Sequence, residues 1–539
     1  MKSTQLRWGR VLVGGFLAEL LVFAIVFPVR AAFGEQAFLV SIPIASAVAP
    51  FLFAIWVGRP IASRFVLHGA LVGLTAALIY LGLAWGQPEP LLYKISHVLK
   101  VVGGIAGGLA VSRRKRQLTA DASGSRLPAT LVLLALLAAT SSLAAEPQAG
   151  SSGQASNAST AVVPFKIHAS DAVLADLKQR LARTRFPDEI PGTDWDYGTN
   201  LKYLKELVTY WREKFDWRAQ ERRLNELEQF KTNIDGLDIH FVHRRSKQPN
   251  ALPLALTHGW PGSFVEFTKV IGPLTDPAAH GGRAEDAFNV VAISLPGFGF
   301  SDKPRDRGYG PERMAGILAK LMARLGYTRY GVQGGDWGSA ISRLVAINDA
   351  SHVAGLHLNF CLAPAPQGPD PNAGLTAAEL ERNRTRAAFF ETERGYFLEQ
   401  STKPQTVGYG LNDSPAGLAA WIVEKFRTWS DSGGDVEKKF TKDELLTNIT
   451  LYWVTESATS SARIYYENQR NAGPQNARVE VPTACAFFPK EIALPPRRWV
   501  AAHYNLTRWT EMPRGGHFAA LEEPELLVDD IRAFFRTLR

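Results

Sequence analysis

The sequence predicts an α/β fold with a mostly parallel central sheet, preceded by about four transmembrane helices. Short apolar, β-branched runs alternate with helical patterns after about residue 162, as in a sheet whose two faces are both covered by helices. Four apolar stretches of membrane-spanning length lie before residue 112. With 539 residues, 46% of them hydrophobic, the chain is long enough for more than one domain and too apolar for disorder.

The four apolar stretches each approach the length of about 20 residues that crosses a bilayer as a helix. They span residues 11–29, 37–57, 65–85 and 95–111. Lysine and arginine residues precede the first stretch and follow the second and the fourth, so the positive-inside rule places these segments in the cytoplasm. The fourth stretch contains two overlapping G-x-x-x-G pairs, which predict close approach of another helix: Gly103 with Gly107, and Gly104 with Gly108.

The net charge of +9 is concentrated in this N-terminal region. Residues 1–116 hold 12 lysine and arginine residues and three acidic residues, so the rest of the chain is formally neutral. A neutral soluble part offers no basic face to a phosphate backbone, and no nucleic-acid partner is expected.

The two cysteines, Cys361 and Cys485, fit neither a disulfide framework nor a zinc ribbon. One disulfide between them remains an open alternative.

A fifth apolar segment of the N-terminal region is shorter than the first four. Residues 127–139 follow the arginine-rich loop at 113–116 and precede small residues at 140–146. This arrangement resembles an internal export signal, and a fifth, uncleaved span is the alternative. Either interpretation predicts a membrane protein whose later part lies on the extracytoplasmic (periplasmic) side.

The soluble part begins with two amphipathic helices and a hairpin. Residues 171–185 and 200–211 have apolar side chains at helical spacing, and residues 230–244 are typical of a hairpin that turns at Asp235-Gly236. Buried strands are then predicted at 252–257, 290–295, 330–333, 353–360, 481–488 and 506–512. Between residues 360 and 481 the strand pattern lapses and the segment is helical and aromatic, which is typical of an inserted cap domain.

The strand at 330–333 ends in the sequence GGDWG at 334–338, directly before a predicted helix. Small residues two positions before and after Asp336 are what a sharp strand-to-helix turn requires, because a larger side chain would collide there. The segment is interpreted as a nucleophile elbow that presents an aspartate. No G-x-S-x-G occurs in the chain, which disfavours a serine esterase; the structural alternative is a glycine-rich turn whose aspartate caps the helix.

A second motif, HGWP at 258–261, closes the strand at 252–257. In a hydrolase of this architecture the loop supplies one backbone N–H of an oxyanion hole, and the residue after the nucleophile supplies the other. Trp260 and Trp337 are the predicted donors. The neighbouring loop residues are predicted to contact substrate: His258, Gly259, Pro261 and Phe298. The glycine loop around Phe298 is not a dinucleotide site, because position 302 is an aspartate.

The third motif, RGGHF at 514–518, follows the last strand. His517 stands where a base would activate water to release an ester from Asp336. A histidine base needs a carboxylate that fixes its tautomer. Glu491, after the strand at 481–488, is the predicted partner, and Asp370 is the second candidate.

With these motifs in place, residues 162–539 resemble the microsomal-type epoxide hydrolases of the α/β-hydrolase superfamily. The matching segments are HGWPGSFVEF, LPGFGFS, GGDWGS, TKPQTVGYGLNDSPAGLAAW, SSARIYYEN and RGGHFAALEEPELL. The multi-span region at 1–112 departs from the single anchor often found in that family. The resemblance implies an α/β-hydrolase core with an inserted helical cap.

The resemblance also implies a reaction and further site residues. Asp336 would attack an epoxide carbon, and two cap tyrosines, matched by Tyr396 and Tyr465, would donate to the epoxide oxygen. Tyr466 beside Tyr465 leaves that register open. Water activated by His517 would then release a vicinal diol, with no metal and no cofactor. The expected partners are therefore a small hydrophobic epoxide, water and the membrane.

Two other functions fit parts of the pattern. Haloalkane dehalogenases share the aspartate elbow but typically have asparagine where Trp260 stands. A catalytically idle, membrane-tethered module would have no use for the complete set of motifs.

The predicted domains are a multi-span region (1–112), a basic, signal-like and linker segment (113–161), an N-terminal extension (162–250), the core (251–362 and 481–539) and the cap (363–480).

Overall fold

The computed structural model describes residues 7–58, 64–83, 91–120, 160–366, 370–471, 473 and 477–539. The chain divides into two compact units, Met1–Ser152 and Gly153–Arg539. The signal-like segment predicted at 127–139 lies outside the described residues.

Among its described residues the first unit has three helices: α1 (Trp8–Gly58), α2 (Phe65–Leu83) and α3 (Leu91–Ala120). Helix α1 cannot be straight, because 51 residues would extend about 77 Å while its two ends are in contact. Val11 and Val57 belong to one buried cluster, and the Arg10 guanidinium lies 4.5 Å from the centroid of the Trp56 ring. The chain therefore reverses within α1, and the first two predicted apolar stretches pack antiparallel.

Three helical segments are long and apolar enough to cross a membrane, namely Trp8–Val29, Ser41–Gly58 and Ile95–Ser112. The remaining stretch forms the apolar helix Phe65–Leu81, which is shorter. About four spans were predicted, and three satisfy the length criterion within the described residues. The predicted third span, 65–85, ended beyond the described part of α2.

The glycines of α3 allow the close helix contacts that their spacing predicts. A Cβ on Gly104 would lie 2.1 Å from the Gly69 carbonyl oxygen, and one on Gly103 would lie 2.1 Å from the Ala47 carbonyl oxygen. Any side chain at these positions would push the backbones apart. Glu19 and Lys100 form a buried ion pair at 2.7 Å in the same unit.

The second unit contains one sheet of nine strands within the described residues. The strands are β1 (Val163–Phe165), β2 (Gln229–Ile234), β3 (Leu237–Arg244), β4 (Leu252–Thr257), β5 (Phe288–Ile293), β6 (Tyr330–Gly334), β7 (Val353–Leu358), β8 (Val479–Phe487) and β9 (Tyr504–Glu511). Their order is β1-β2-β3-β5-β4-β6-β7-β8-β9. Strands β1, β2, β3 and β5 pair antiparallel, and the pairs from β5 to β9 are parallel. The predicted α/β-hydrolase fold with a mostly parallel sheet is confirmed.

Helices cover this sheet and fill the long interval between β7 and β8. Those before β7 are α4 (Asp171–Ala182), α5 (Leu201–Glu213), α6 (Trp217–Leu224), α7 (Thr268–Thr275), α8 (Pro311–Arg324) and α9 (Trp337–Asn348). Six helices follow β7: α10 (Ala377–Glu393), α11 (Gly395–Thr402), α12 (Pro404–Asp413), α13 (Pro415–Trp429), α14 (Lys442–Val454) and α15 (Ala458–Asn468). The last three are α16 (Arg497–His503), α17 (Ala519–Glu522) and α18 (Pro524–Phe535).

Strand order brings two of the predicted motifs together. Strands β4 and β6 are parallel neighbours, with Thr257 opposite Gly334. Because both strands run in the same direction, the segments that follow them emerge at the same edge of the sheet. The HGWP loop and the GGDWG turn therefore meet, although 76 residues separate Trp260 from Asp336.

The two cysteines form a disulfide that joins the two ends of the long interval between β7 and β8. Cys361 lies just after β7 and Cys485 lies within β8, 124 residues later. Both side chains are buried. The bond therefore closes a chain loop that includes all the helices from α10 to α15.

Replacing both cysteines by alanine should lower the free energy of unfolding by about 2–4 kcal/mol, because the bond restricts the unfolded chain. Thermal unfolding of the full chain in detergent, with and without reductant, measures the effect. Reductant should destabilise the wild type and leave the double alanine variant unchanged. A double variant as stable as the oxidised wild type would contradict the prediction.

Candidate active site

Asp336 lies at the turn between β6 and α9, in a backbone conformation that residues other than glycine rarely adopt. Its φ is +51° and its ψ is −131°. A Cβ on Gly338 would lie 2.0 Å from the Thr257 carbonyl oxygen, and one on Gly334 would lie 2.3 Å from the Gly338 carbonyl oxygen. Glycines on both sides therefore let the turn fit against β4, and the turn presents the Asp336 carboxylate at the edge of the sheet.

The HGWP loop holds one oxygen of this carboxylate. The Trp260 backbone N–H donates a hydrogen bond of 2.8 Å to Asp336 Oδ1. A Cβ on Gly259 would lie 2.0 Å from the same oxygen, so the approach requires glycine there. Trp337, the second predicted donor, is the first residue of α9, where backbone N–H groups have no partner within the helix.

The other oxygen faces the predicted base. His517 Nε2 lies 3.1 Å from Asp336 Oδ2, and His517 Nδ1 lies 2.5 Å from Glu491 Oε1. Burial by itself would lower the pKa of His517, but the Glu491 and Asp336 carboxylates raise it well above its ordinary value. The three side chains form one hydrogen-bonded row.

Two tyrosines of the helices between β7 and β8 pack against the two tryptophans of the site. The Tyr396 ring stacks on Trp260, with centroids 5.5 Å apart, and the Tyr465 ring contacts Trp337 edge-on at 4.8 Å. Burial, and then the Asp336 charge, raise the pKa of Tyr396; for Tyr465, burial, Tyr396 and Asp336 have this effect. Both hydroxyls therefore remain protonated and can donate.

Known proteins match this chain over the second unit. Residues 162–267 match the family described as "Epoxide hydrolase N terminus", and residues 253–406 match the "alpha/beta hydrolase fold" family. "Epoxide hydrolase 1" of Sus scrofa is 44% identical over 402 residues, which cover 70% of this chain and 88% of that protein. The chain belongs to the epoxide hydrolase family.

Solved structures of the family share the fold of this epoxide hydrolase. The juvenile hormone epoxide hydrolase of the silkworm Bombyx mori aligns with a TM-score of 0.66 at 35% identity, over 71% of this chain and 96% of the other. The Aspergillus niger epoxide hydrolase aligns with a TM-score of 0.64 at 35% identity, over 71% and 98%. The resemblance predicted from the motifs is confirmed.

The residues predicted to contact substrate lie around the same loop in this epoxide hydrolase. His258 is buried and both its ring nitrogens are used by the backbone: Nδ1 lies 3.0 Å from the Gly259 oxygen, and Nε2 accepts from the Leu295 N–H at 3.3 Å. The Phe298 ring packs against the His258 ring, with the two centroids 5.2 Å apart. The Pro261 carbonyl accepts from Asn448 Nδ2 at 2.8 Å. These contacts hold the loop in shape and leave His258 no free ring nitrogen for substrate.

The structure places the alternative residues in different surroundings. Asp370 accepts a hydrogen bond from the Asn372 N–H, while Glu491 pairs with His517. The Arg470 guanidinium covers the Tyr466 ring at 3.4 Å, and it is Tyr465 that contacts Trp337. Glu491 and Tyr465 are thus the residues that reach Asp336 and its neighbours.

Sequence reasoning missed one acidic residue of the site. No role in the site was assigned to Glu266 from the sequence, yet it lines a small cavity together with Asp336 and His517. It belongs to a 3-10 turn, Phe264–Phe267, at whose start Ser263 Oγ accepts from the Val265 N–H. Glu266 follows HGWP within the motif, and that position was the available signal.

Proposed function

We propose that this epoxide hydrolase converts hydrophobic epoxides to vicinal diols through a covalent ester on Asp336. The supporting observation is the set of hydrogen bonds around Asp336. One carboxylate oxygen accepts from the Trp260 N–H, and the other faces His517, which also pairs with Glu491. One oxygen is held as an oxyanion would be held, and the other faces a base.

The first step is attack of Asp336 on the epoxide. Oδ2, the oxygen not bonded to Trp260, forms a bond to an epoxide carbon, and the ring C–O bond breaks. The released oxygen takes a proton from Tyr396 or Tyr465, whose hydroxyls stay protonated until a stronger base forms. Because charge develops on that oxygen, these donors act chiefly in the transition state.

The second step is hydrolysis of the ester. His517 Nε2 takes a proton from water, whose oxygen bonds to Asp336 Cγ, and Oδ1 becomes an oxyanion that the Trp260 and Trp337 N–H groups stabilise. The bond from Cγ to the diol oxygen then breaks, and that oxygen takes the proton from His517. The proton left on the Asp336 carboxyl returns to the tyrosinate through solvent. Glu491 stabilises the imidazolium during this step.

Replacing Tyr465 by phenylalanine should slow the first step about 100-fold, as expected for loss of one donor to a developing oxyanion. Hydrolysis of ester already formed should keep its rate. Quenched-flow intact mass spectrometry separates the two rates, and Tyr466→Phe is the matched control because Tyr466 contacts Arg470. Equal slowing by both variants would contradict the assignment.

Replacing Glu491 by glutamine should shift the pH dependence of ester hydrolysis to lower pH. In the ester the Asp336 charge is absent, so Glu491 is the remaining carboxylate that raises the pKa of His517. The base acts deprotonated; the acidic limb therefore follows this pKa downward when the carboxylate is removed. The maximal rate should fall roughly 100-fold or more because the imidazolium loses its partner. Ester decay measured from pH 5 to 9 tests both effects, and an unchanged limb would contradict them.

A panel of aryl, terpene and fatty epoxides in oxygen-18 water tests the covalent route. In a single turnover with unlabelled enzyme, label should enter Asp336 and be absent from the diol. Label in the diol would refute the ester. Halide release from matched haloalkanes, without diol formation from the epoxides, would support the dehalogenase alternative.

We propose that the enzyme is a membrane protein whose catalytic unit lies on the extracytoplasmic side. The basic residues flanking the apolar helices support a cytoplasmic side for the arginine-rich loop. The Cys361–Cys485 disulfide supports an oxidising, extracytoplasmic location for the catalytic unit. The proposed domains are those predicted from the sequence, with 363–480 as the cap. Its aromatic side chains favour apolar epoxides.

A further inference from the structure

The carboxyl group of Glu266 is folded back over the HGWP loop. A Cβ on Gly262 would lie 1.4 Å from Glu266 Oε1, so the carboxyl occupies the space that any other residue at 262 would fill. The Ser263 backbone also hydrogen-bonds this carboxyl. Glycine at 262 thus lets an acidic side chain turn toward the site.

Glu266 lines a small cavity next to Asp336 and His517. Gln333 and Asn359 are among the other polar residues that line it. The cavity measures about 20 Å³, enough for one water molecule. Gln333 Oε1 is buried there and has no hydrogen-bond partner among the described residues. The cavity is therefore polar and of the right size to hold a single water near Asp336.

The charge state of Glu266 suits contact with a neutral water. Burial raises the pKa of Glu266 to about 8; His517 lowers it and Asp336 raises it. The Tyr452 hydroxyl is the other titratable group near Glu266. At neutral pH the carboxyl is mostly protonated, so it can donate one hydrogen bond and accept another.

We propose that Glu266 positions the water that hydrolyses the Asp336 ester, an inference that rests on the proposed function. Water held by Glu266 and Gln333 lies between two groups of the row: its proton goes to His517 Nε2, and its oxygen bonds to Asp336 Cγ. Glu266 undergoes no net change of protonation. Its contribution is orientation of the water, which the first step does not need.

Glu266→Ala should slow ester hydrolysis about 100-fold, the scale of loss expected when a reactant is misplaced, and leave ester formation unchanged. The full chain in detergent is mixed with excess epoxide, and quenched-flow intact mass spectrometry follows the esterified fraction. Ester should therefore accumulate in the variant. Glu266→Gln keeps a donor and an acceptor and should recover at least about ten-fold of the lost rate. Glu206→Ala, at an exposed glutamate of α5, is the matched control.

Gly262→Ala tests position without removing the acid. Its methyl group would displace the Glu266 carboxyl, so ester hydrolysis should slow here too, with no further loss in the G262A/E266A double variant. Equal slowing of both steps in E266A, or hydrolysis at the wild-type rate, would overturn the inference. Absence of ester in the wild type would overturn the proposed function as well, and the same spectra distinguish these results.

Discussion

Asp336→Ala should abolish turnover of every epoxide, with a loss on the order of 10^4-fold or more. In the proposed route the carboxylate is the group that bonds to the epoxide carbon, and its removal leaves His517 without an ester to hydrolyse. Product analysis by mass spectrometry measures the loss. No adduct should appear on the intact protein, whereas the wild type should show the mass of one epoxide during turnover.

The Asp336→Ala variant also separates folding from chemistry. Residue 336 has a positive φ, and alanine keeps the Cβ that the turn already accommodates. The variant should therefore unfold at about the wild-type temperature. Residual diol formation within ten-fold of the wild type would mean that a different group attacks the epoxide, and the covalent proposal would fail.

His517→Gln should stop the cycle after the first step. Ester formation uses Asp336 and the tyrosines, while release uses the imidazole, so ester should accumulate to nearly one equivalent. General-base loss predicts slowing of hydrolysis by about 10^2 to 10^4-fold. Intact mass after manual mixing measures the accumulated ester, and steady-state diol formation measures the loss.

The control for this variant is a histidine with no proposed part in the reaction. His352 is exposed and pairs with Asp349, so His352→Gln should turn over normally. Failure of His517→Gln to form ester, with normal folding, would indicate that the imidazole is needed earlier than proposed. Such a result would place the base in the first step.

Local patterns determined much of the fold. Strand β4 coincides with its predicted bounds, and five further predicted strands lie within two residues of prediction at each end. The three-residue strand β1 was missed, because so short a strand has no detectable alternation. The sequence predicted two separate spans where the chain reverses. The structure has both spans within the single helix α1, whose two ends are in contact.

Site residues that belong to sequence motifs could be predicted. Residues whose part in the site depends on where the side chain points could not. The order of Asp336, Glu491 and His517 along the chain matched a known arrangement, and the structure places all three in hydrogen-bond contact. The choice between Tyr465 and Tyr466 needed the helix orientation, because adjacent helical residues point about 100° apart. Glu266 was missed since its carboxyl folds back over a glycine.

The sequence by itself determined which chemical groups this protein has and in what order, since glycine spacing and apolar periodicity are local properties of the chain. Only the tertiary structure decided which of those groups meet. The adjacency of β4 and β6, the pairing of Cys361 with Cys485 and the cavity at Glu266 all depend on contacts between distant segments. Such contacts are set by packing of the whole unit, and no short window of sequence encodes them.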